Sequence, residues 1–147
     1  MPDRDILDLE HFVPYRLSVL SNRISHDIAR LYAERWDLAV NEWRVLAVLG
    51  RHHDIAAREV AERTAMDKVA VSRAIASLLD AGRIERDTHD GDRRRSRLRL
   101  SPAGRAIYDE VAPLALDYQR RLLEGLAEDE RAALDRLLSR LEKAAES

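Results

Sequence analysis

A dense arginine cluster near residue 95 carries the strongest chemical signal in the sequence. Residues 83–99 contain seven arginines and four acidic residues, a local positive excess in a chain whose net charge is −2. Guanidinium groups bind phosphates and guanine edges through paired hydrogen bonds. Because DNA binding requires a basic patch and not a basic protein, this cluster predicts a nucleic-acid contact. Its candidate contact residues are Arg93, Arg94, Arg95 and Arg97.

The segment 67–80, just before this cluster, has the apolar spacing of an amphipathic helix and polar groups of its own. Lys68, near its start, is placed to meet a phosphate. Ser72 can contact a phosphate or a base, and Arg73 can pair with guanine in the major groove. In the alternative interpretation, Arg73 only braces the surrounding lobe through an acidic neighbour. Asp67 is predicted to be the N-cap residue.

The elements that must position these residues follow from hydrophobic periodicity. Strands are predicted at Ile84–Arg86 and Leu98–Leu100, where the period changes to two, and Asp90-Gly91 is a hairpin signal between them. The predicted helices cover residues 8–35, 41–50, 57–64, 67–80, 102–123 and 128–145.

Short sequence signals predict how two of these helices begin or end. Asn41 is the candidate N-cap of the second helix, and Gly50 is the candidate residue at which it ends. Ser101-Pro102 has the pattern of an N-cap followed by a first-turn proline, which opens the fifth helix.

The predicted fold is mainly α with a small β-hairpin wing, that is, a winged helix-turn-helix with N- and C-terminal dimerisation helices. We expect a single domain over residues 1–147, with a DNA-binding lobe at 38–100. The outer helices, 8–35 and 102–145, carry long apolar stripes that a second copy of the chain would cover. A helix followed by a basic hairpin is expected to bind DNA with the helix in the major groove and the hairpin at the minor groove.

Composition excludes several classes of protein. The chain has no cysteine, which excludes disulfides and cysteine-based zinc sites. No apolar run approaches the ~20 residues that span a bilayer, and no signal peptide is visible, so we predict a cytoplasmic protein without a membrane partner. A glycine-rich phosphate loop, a His-Glu-x-x-His motif and a serine elbow are all missing, so we expect neither an enzyme nor a cofactor. His52-His53 cannot converge on one ion alone, which argues against a metal.

Taken together, the motifs resemble the MarR family of bacterial transcriptional regulators from about residue 12 to residue 142. The matching pieces are Glu42-Trp43-Arg44-Val45-Leu46, Glu59-Val60-Ala61, Asp67-Lys68, Val71-Ser72-Arg73, Leu78 to Gly82, Asp92-Arg93-Arg94, Leu98-Arg99-Leu100-Ser101, Gly104, Leu122 to Leu126 and Glu128-Asp129-Glu130. The resemblance implies a triangular homodimer and a repressor, or less often an activator, that binds a short inverted repeat. It also implies a small ligand between the dimer helices and the DNA-binding lobe.

The resemblance further assigns roles within the predicted wing, residues 87–99. Asp92 is expected to hold an arginine in position, and Arg94 to enter a narrow minor groove, whose negative potential is enhanced. Arg93 and Arg95 then point towards phosphate or solvent, and Arg97 and Arg99 are placed to meet the DNA backbone. The chain departs from the family pattern at Ala39, Ala56 and Ala70, where serine or threonine is common.

Several residues are candidates for the ligand site. Arg16 with aromatic neighbours would suit a planar aromatic carboxylate. The alternative is that Trp43 belongs to the core and the others are ordinary surface or dimer residues. The ligand candidates are His11, Arg16, Trp36 and Trp43, with Tyr15 and His26 nearby. Two other functions remain open, a sequence-independent architectural DNA binder and a protein-interaction module.

Overall fold

The computed structural model describes residues 6–87 and 96–146. The described part holds a short 3₁₀ helix, seven α-helices and one two-stranded sheet, which confirms the predicted fold class. Within it, no helix is both long and apolar enough to cross a membrane. The elements are a 3₁₀ helix at Leu9–His11, α1 Val13–Ala29, α2 Ala33–Trp36, α3 Val40–Arg51, α4 Ala57–Thr64, α5 Lys68–Asp80, β1 Ile84–Asp87, β2 Arg97–Leu100, α6 Pro102–Leu122 and α7 Glu128–Glu146.

The chain forms two compact units, Met1–Ala112 and Pro113–Ser147. The core of the first unit is built by side chains that recur at helical spacing on α3 and α5 and by one buried side chain from each strand. Burying this apolar surface is the main stabilising contribution to the unit. The core residues from these elements are Val45, Leu46, Leu49, Val71, Ala74, Ile75, Leu78, Ile84 and Leu98, joined by Val60 of α4 and by Ile107 and Val111 of α6.

The two strands pair antiparallel, with Ile84 opposite Leu100 and Asp87 opposite Arg97. A third segment joins them, because Leu98 also forms a β-bridge with Ile55. The N–H of Leu98 donates to the carbonyl of Ile55 at 2.8 Å, and the N–H of Ile55 donates back at 3.3 Å. The hairpin is therefore attached along β2 to the residue that precedes α4 by two positions.

The prediction of one continuous helix over residues 8–35 is wrong. After α1, the N–H groups of Leu31 and Tyr32 bond carbonyls three residues back, which tightens the last turn and ends the helix. Tyr32 has φ −132° and is 1% exposed, so the break turns its ring into the core. Asp37, in the left-handed region at φ 50°, then ends α2.

Two of the predicted helix starts are confirmed. The side chain of Asp67 accepts the N–H of Ala70 at 2.9 Å, as an N-cap does. Ser101 accepts the N–H of Gly104 at 3.1 Å through Oγ, and α6 begins at Pro102. The same hydroxyl donates to the carbonyl of Gly82 at 2.6 Å, so it also ties the start of α6 to the turn before β1.

Two signals at α3 are wrong. Asn41 lies inside the helix, whose N-cap is Ala39, and the Glu42 carboxylate accepts the N–H of Ala39 at 2.9 Å instead. Gly50 does not stop α3, which continues through Arg51. A Cβ at Gly50 would lie 2.3 Å from the ring of Tyr108, so glycine at this position provides room for that ring.

The second unit contains the end of α6, which runs through Pro113, and the whole of α7. Between these helices, the N–H of Ala127 donates to the Glu130 carboxylate at 2.8 Å and opens α7. None of the α7 residues is buried. Its large apolar side chains include Leu137, Leu138 and Leu141, and each of these is more than 40% exposed.

Candidate nucleic-acid interface

Helix α5 presents two different faces. Val71, Ala74, Ile75 and Leu78 are buried against the core and fix the helix. The opposite face carries exposed side chains, including the three residues predicted to contact DNA, Lys68, Ser72 and Arg73. Because residues three and four apart are neighbours on a helix, the side chains of this face form one continuous surface.

The turn between α4 and α5 sets the start of this surface. Ala65 ends α4 in the left-handed region at φ 54°, a conformation that costs energy for any residue with a Cβ. The Thr64 hydroxyl donates to the carbonyl of Val60 at 2.9 Å and accepts the N–H of Met66 at 3.4 Å. These bonds satisfy polar groups at the end of α4, and Asp67 then caps α5. The two helices form the predicted helix-turn-helix.

A brace that sequence reasoning missed holds the other end of α5. The Ser77 hydroxyl donates to Glu42 at 2.7 Å, and the second oxygen of that carboxylate is the one that caps α3. One carboxylate thus ties α5 to the start of α3. Nearby, the Arg83 guanidinium donates to the carbonyl of Trp36. Arg73 has no ion pair with any residue that the structure describes.

Of the predicted wing residues, Asp92, Arg93, Arg94 and Arg95 lie outside the described residues. Arg97 is described and exposed, and its Nη1 donates to the backbone carbonyl of Asp54 at 3.2 Å. This contact involves no negative charge, so the positive charge of Arg97 is not offset by it.

Arg99, which was expected to meet the DNA backbone, lies among three carboxylates. Its guanidinium is 3.4 Å from Asp54, 3.3 Å from Glu85 and 3.6 Å from Asp87. The hydrogen bonds to Asp54 and Glu85 raise the pKa of Arg99 above its ordinary value. Arg99 therefore joins both strands to the loop before Ile55, and its charge is balanced locally.

The ligand candidates lie in three different surroundings. Trp43 belongs to an aromatic row, with its ring centroid 5.7 Å from that of Tyr32 and 6.2 Å from that of Tyr108. Burial raises the pKa of Tyr32 to about 12, against a smaller lowering by Arg44, so its phenol is neutral at pH 7. Trp36 packs against the core under the guanidinium of Arg35, at 4.6 Å.

The other two candidates lie near the N-terminus. His11 is 2.7 Å from the carboxylate of Asp8 through Nδ1. Arg16 lines a groove of about 670 Å³ along α1, together with a second arginine and several apolar side chains. The lining residues are Glu10, Val13, Tyr15, Arg16, Leu17, Val19, Leu20 and Arg23. His52 and His53 follow α3, and among the described residues no three His, Asp or Glu side chains are grouped as a metal site.

A helix-turn-helix whose second helix exposes Lys68, Ser72 and Arg73, followed by an antiparallel hairpin, defines a winged helix-turn-helix DNA-binding protein. The comparisons with known proteins agree. The sequence model of the MarR family matches residues 36–95, which cover the helix-turn-helix and most of the wing. Over these residues the chain is similar to the MarR family of transcriptional regulators.

Individual relatives extend the match along the chain. The HTH-type transcriptional regulator PecS of Dickeya dadantii is 26% identical over 145 residues, which cover 96% of this chain and 87% of PecS. A MarR/EmrR family regulator from Acinetobacter sp. ADP1 has the same fold, with a TM-score of 0.87 and 24% identity over 95% of this chain and 99% of that one.

One solved structure bears on regulation. BpsR of Bordetella bronchiseptica has a TM-score of 0.71 and 24% identity, over 86% of this chain and 98% of its own. That structure is described as the mechanism by which 6-hydroxynicotinic acid regulates DNA binding by BpsR. For the present chain, this likeness shows the fold.

Proposed function

We propose that this protein is a ligand-responsive repressor that binds an inverted-repeat operator as a homodimer. The recognition helix α5 enters the major groove, and the wing, residues 87–99, enters the minor groove. The observation that carries the proposal is the exposed face of α5, where a hydroxyl and two basic groups stand together on a helix held from both ends. Residues 38–100 form the DNA-binding lobe, and the helices within 8–35 and 102–145 form the dimer.

Within each half-site the polar groups have different roles. Lys68, in the first turn of α5, neutralises a phosphate and sets the position of the helix. Ser72 contacts phosphate or a base, and Arg73 pairs with guanine through its two parallel N–H groups. The absence of an ion pair to Arg73 among the described residues supports this role over the bracing alternative, since bracing requires an acidic neighbour.

In the wing, Arg94 inserts into the minor groove, and Asp92 positions an arginine for it. Arg93, Arg95 and Arg97 contact phosphates. Support comes from the described base of the hairpin, where no carboxylate of a described residue pairs with Arg97, whereas three carboxylates pair with Arg99.

A homodimer is supported by the apolar side chains that the described chain leaves exposed. Outside the lobe they lie mainly on α1, α6 and α7, where a second copy would cover them. The exposed residues of these three helices are Val13, Tyr15, Leu17, Leu20, Leu114, Leu116, Leu122, Leu137, Leu138 and Leu141.

Exchanging Arg97 and Arg99 for glutamine, one at a time, tests the wing. Each phosphate neutralised contributes about −0.9 to the slope of log K against log salt. Arg97→Gln should therefore make the slope shallower by about 0.9 per subunit. Arg99→Gln should leave the slope near that of the parent, because its charge is already balanced by carboxylates. Anisotropy titrations at several salt concentrations give both slopes. Equal slope changes in the two variants would contradict this division of roles.

We further propose that the effector is an aromatic carboxylate bound by Arg16 in the groove on α1. Two guanidinium groups beside apolar side chains suit such a ligand, and the ligand of BpsR is itself an aromatic acid. His11, Trp36 and Trp43 complete the candidate set in the assembled dimer.

Ligand binding is measurable by thermal melting. Salicylate or 6-hydroxynicotinic acid at about 100 times its Kd should raise the free energy of unfolding by about 2.7 kcal/mol. Salicylamide, which has a ring but no carboxylate, should give a much smaller shift. Arg16→Gln should remove the difference between acid and amide. If neither acid raises the melting temperature of the parent, the carboxylate proposal is wrong.

The whole proposal is tested by selecting bound duplexes from a random synthetic DNA library with the purified protein. We expect a short inverted repeat with half-sites about one helical turn apart. Recovery of DNA without a motif would indicate an architectural DNA binder. No recovery would indicate an interaction module.

A further inference from the structure

One apolar side chain on α5 has no role in the interface derived above. Val69 is 60% exposed, although it lies in a helix whose other large apolar side chains face the core. Among the described residues, it is the only exposed large apolar side chain between Leu20 and Leu114. It is therefore separated along the chain from the exposed apolar side chains of α1, α6 and α7.

The neighbours of Val69 are the residues assigned to DNA. Val69 directly follows Lys68, and Ser72 and Arg73 lie three and four positions further on, so all four share the exposed face. Asp67 caps the helix two residues earlier, which places Val69 in its first turn. In helix-turn-helix proteins, the N-terminal residues of the recognition helix contact base edges.

The composition of this face restricts what Val69 can contact. A β-branched residue is a poorer helix former than alanine, so valine at an exposed position does not serve helix stability. The major-groove edge of DNA presents one apolar group, the C5-methyl of thymine. An apolar side chain held between a phosphate-binding lysine and a base-reading arginine matches that group in size and chemistry.

We infer that Val69 contacts the C5-methyl group of a thymine in each half-site and makes the protein select thymine there. The inference rests on the proposed function, because it requires α5 to lie in the major groove. Val69 adds base selection without charge. Its contribution should therefore be independent of salt, in contrast to that of Lys68 and the wing arginines.

The experiment uses the full chain and the operator selected from unmethylated synthetic DNA. Each thymine of the half-site is replaced by deoxyuridine, which lacks only the methyl group. At one position, the parent should lose about fourfold in affinity per half-site, or about 15-fold when both half-sites carry the change. A deoxyuridine outside the half-sites is the matched DNA control and should have no effect.

Val69→Ala completes the cycle, because it removes the contact from the protein side. The variant should bind the thymine operator about as weakly as the parent binds the deoxyuridine operator, and deoxyuridine should then cost it less than about twofold. Alanine is the better helix former, so the variant should keep the melting temperature of the parent.

The outcomes separate the inference from the function it rests on. If the parent selects no operator at all, the proposed function and this inference both fail. If the parent binds its operator but deoxyuridine weakens parent and Val69→Ala equally at every position, only the role of Val69 is wrong. The assignment to thymine would also be wrong if 5-methylcytosine in the half-site raised the operator affinity while deoxyuridine left that affinity unchanged.

Discussion

Arg73→Ala should weaken operator binding more than any other single change on α5. A good bidentate pair between arginine and guanine is worth about 1–3 kcal/mol, and a homodimer makes the contact twice. The total loss is then about 2–6 kcal/mol, so the Kd should rise at least about 30-fold. Anisotropy titration of a labelled operator at one fixed salt concentration measures the change. Because the Arg73 side chain is exposed, the melting temperature of the variant should stay close to that of the parent.

Arg73→Lys is the matched variant for this experiment. It keeps the positive charge but loses the planar pair of donors that guanine recognition needs. We expect it to relax the base preference at one operator position while the salt slope stays that of the parent. A lysine variant with full affinity and full selectivity would mean that Arg73 meets only phosphate. An alanine variant with full affinity would mean that Arg73 does not contact the operator.

Gly104→Ala, in the first unit, should lower the stability of the protein more than Gly125→Ala, a glycine-to-alanine change outside that unit. A Cβ at this position would lie 1.9 Å from the backbone carbonyl oxygen of Arg83 and 3.4 Å from a methyl group of Leu100. That carbonyl accepts the N–H of Ser101, so it cannot move away without disturbing the junction between β1, β2 and α6. Overpacking of this kind costs about 1–3 kcal/mol, and a clash with backbone falls at the upper end.

Thermal or urea unfolding measures the loss, at about 2–4 °C of melting temperature per kcal/mol for a chain of this size. Gly125→Ala is the control, because a Cβ there would meet nothing within 4 Å. Operator affinity should fall with Gly104→Ala, since the base of the wing shifts. If the two alanine variants have the same melting temperature, the backbone around Gly104 and the Arg83 carbonyl can shift to accept a Cβ, and the prediction is wrong.

The features that the sequence predicted correctly depend on residues close together in the chain. The cap at Asp67 and the Ser101-Pro102 start join groups within three residues, and the strands show their alternation directly. The resemblance marked Gly104 as a family position, but only the distance to the Arg83 carbonyl gives its physical reason.

The missed features depend on long-range contacts. Glu42 and Ser77 are 35 residues apart, and nothing near either residue indicates their hydrogen bond. Ile55 pairs with Leu98 as a single bridge, too short to show alternation. The break before Tyr32 falls inside a regular apolar pattern, since Ile28 and Leu31 continue the spacing of α1. The helix ends there because Tyr32 packs into the core, and not because of the helix preference of the neighbouring residues.

The bridge between Ile55 and Leu98 affects how the protein can respond to a ligand. Ile55 lies just before α4, so the wing and the helix-turn-helix are tied by backbone hydrogen bonds as well as by side chains. We expect the two DNA-reading parts of one subunit to move as a rigid body. In the proposed homodimer, an effector would then change the distance between the two half-sites that the protein can span. The order of bases read within each half-site would stay the same in the presence and the absence of the ligand.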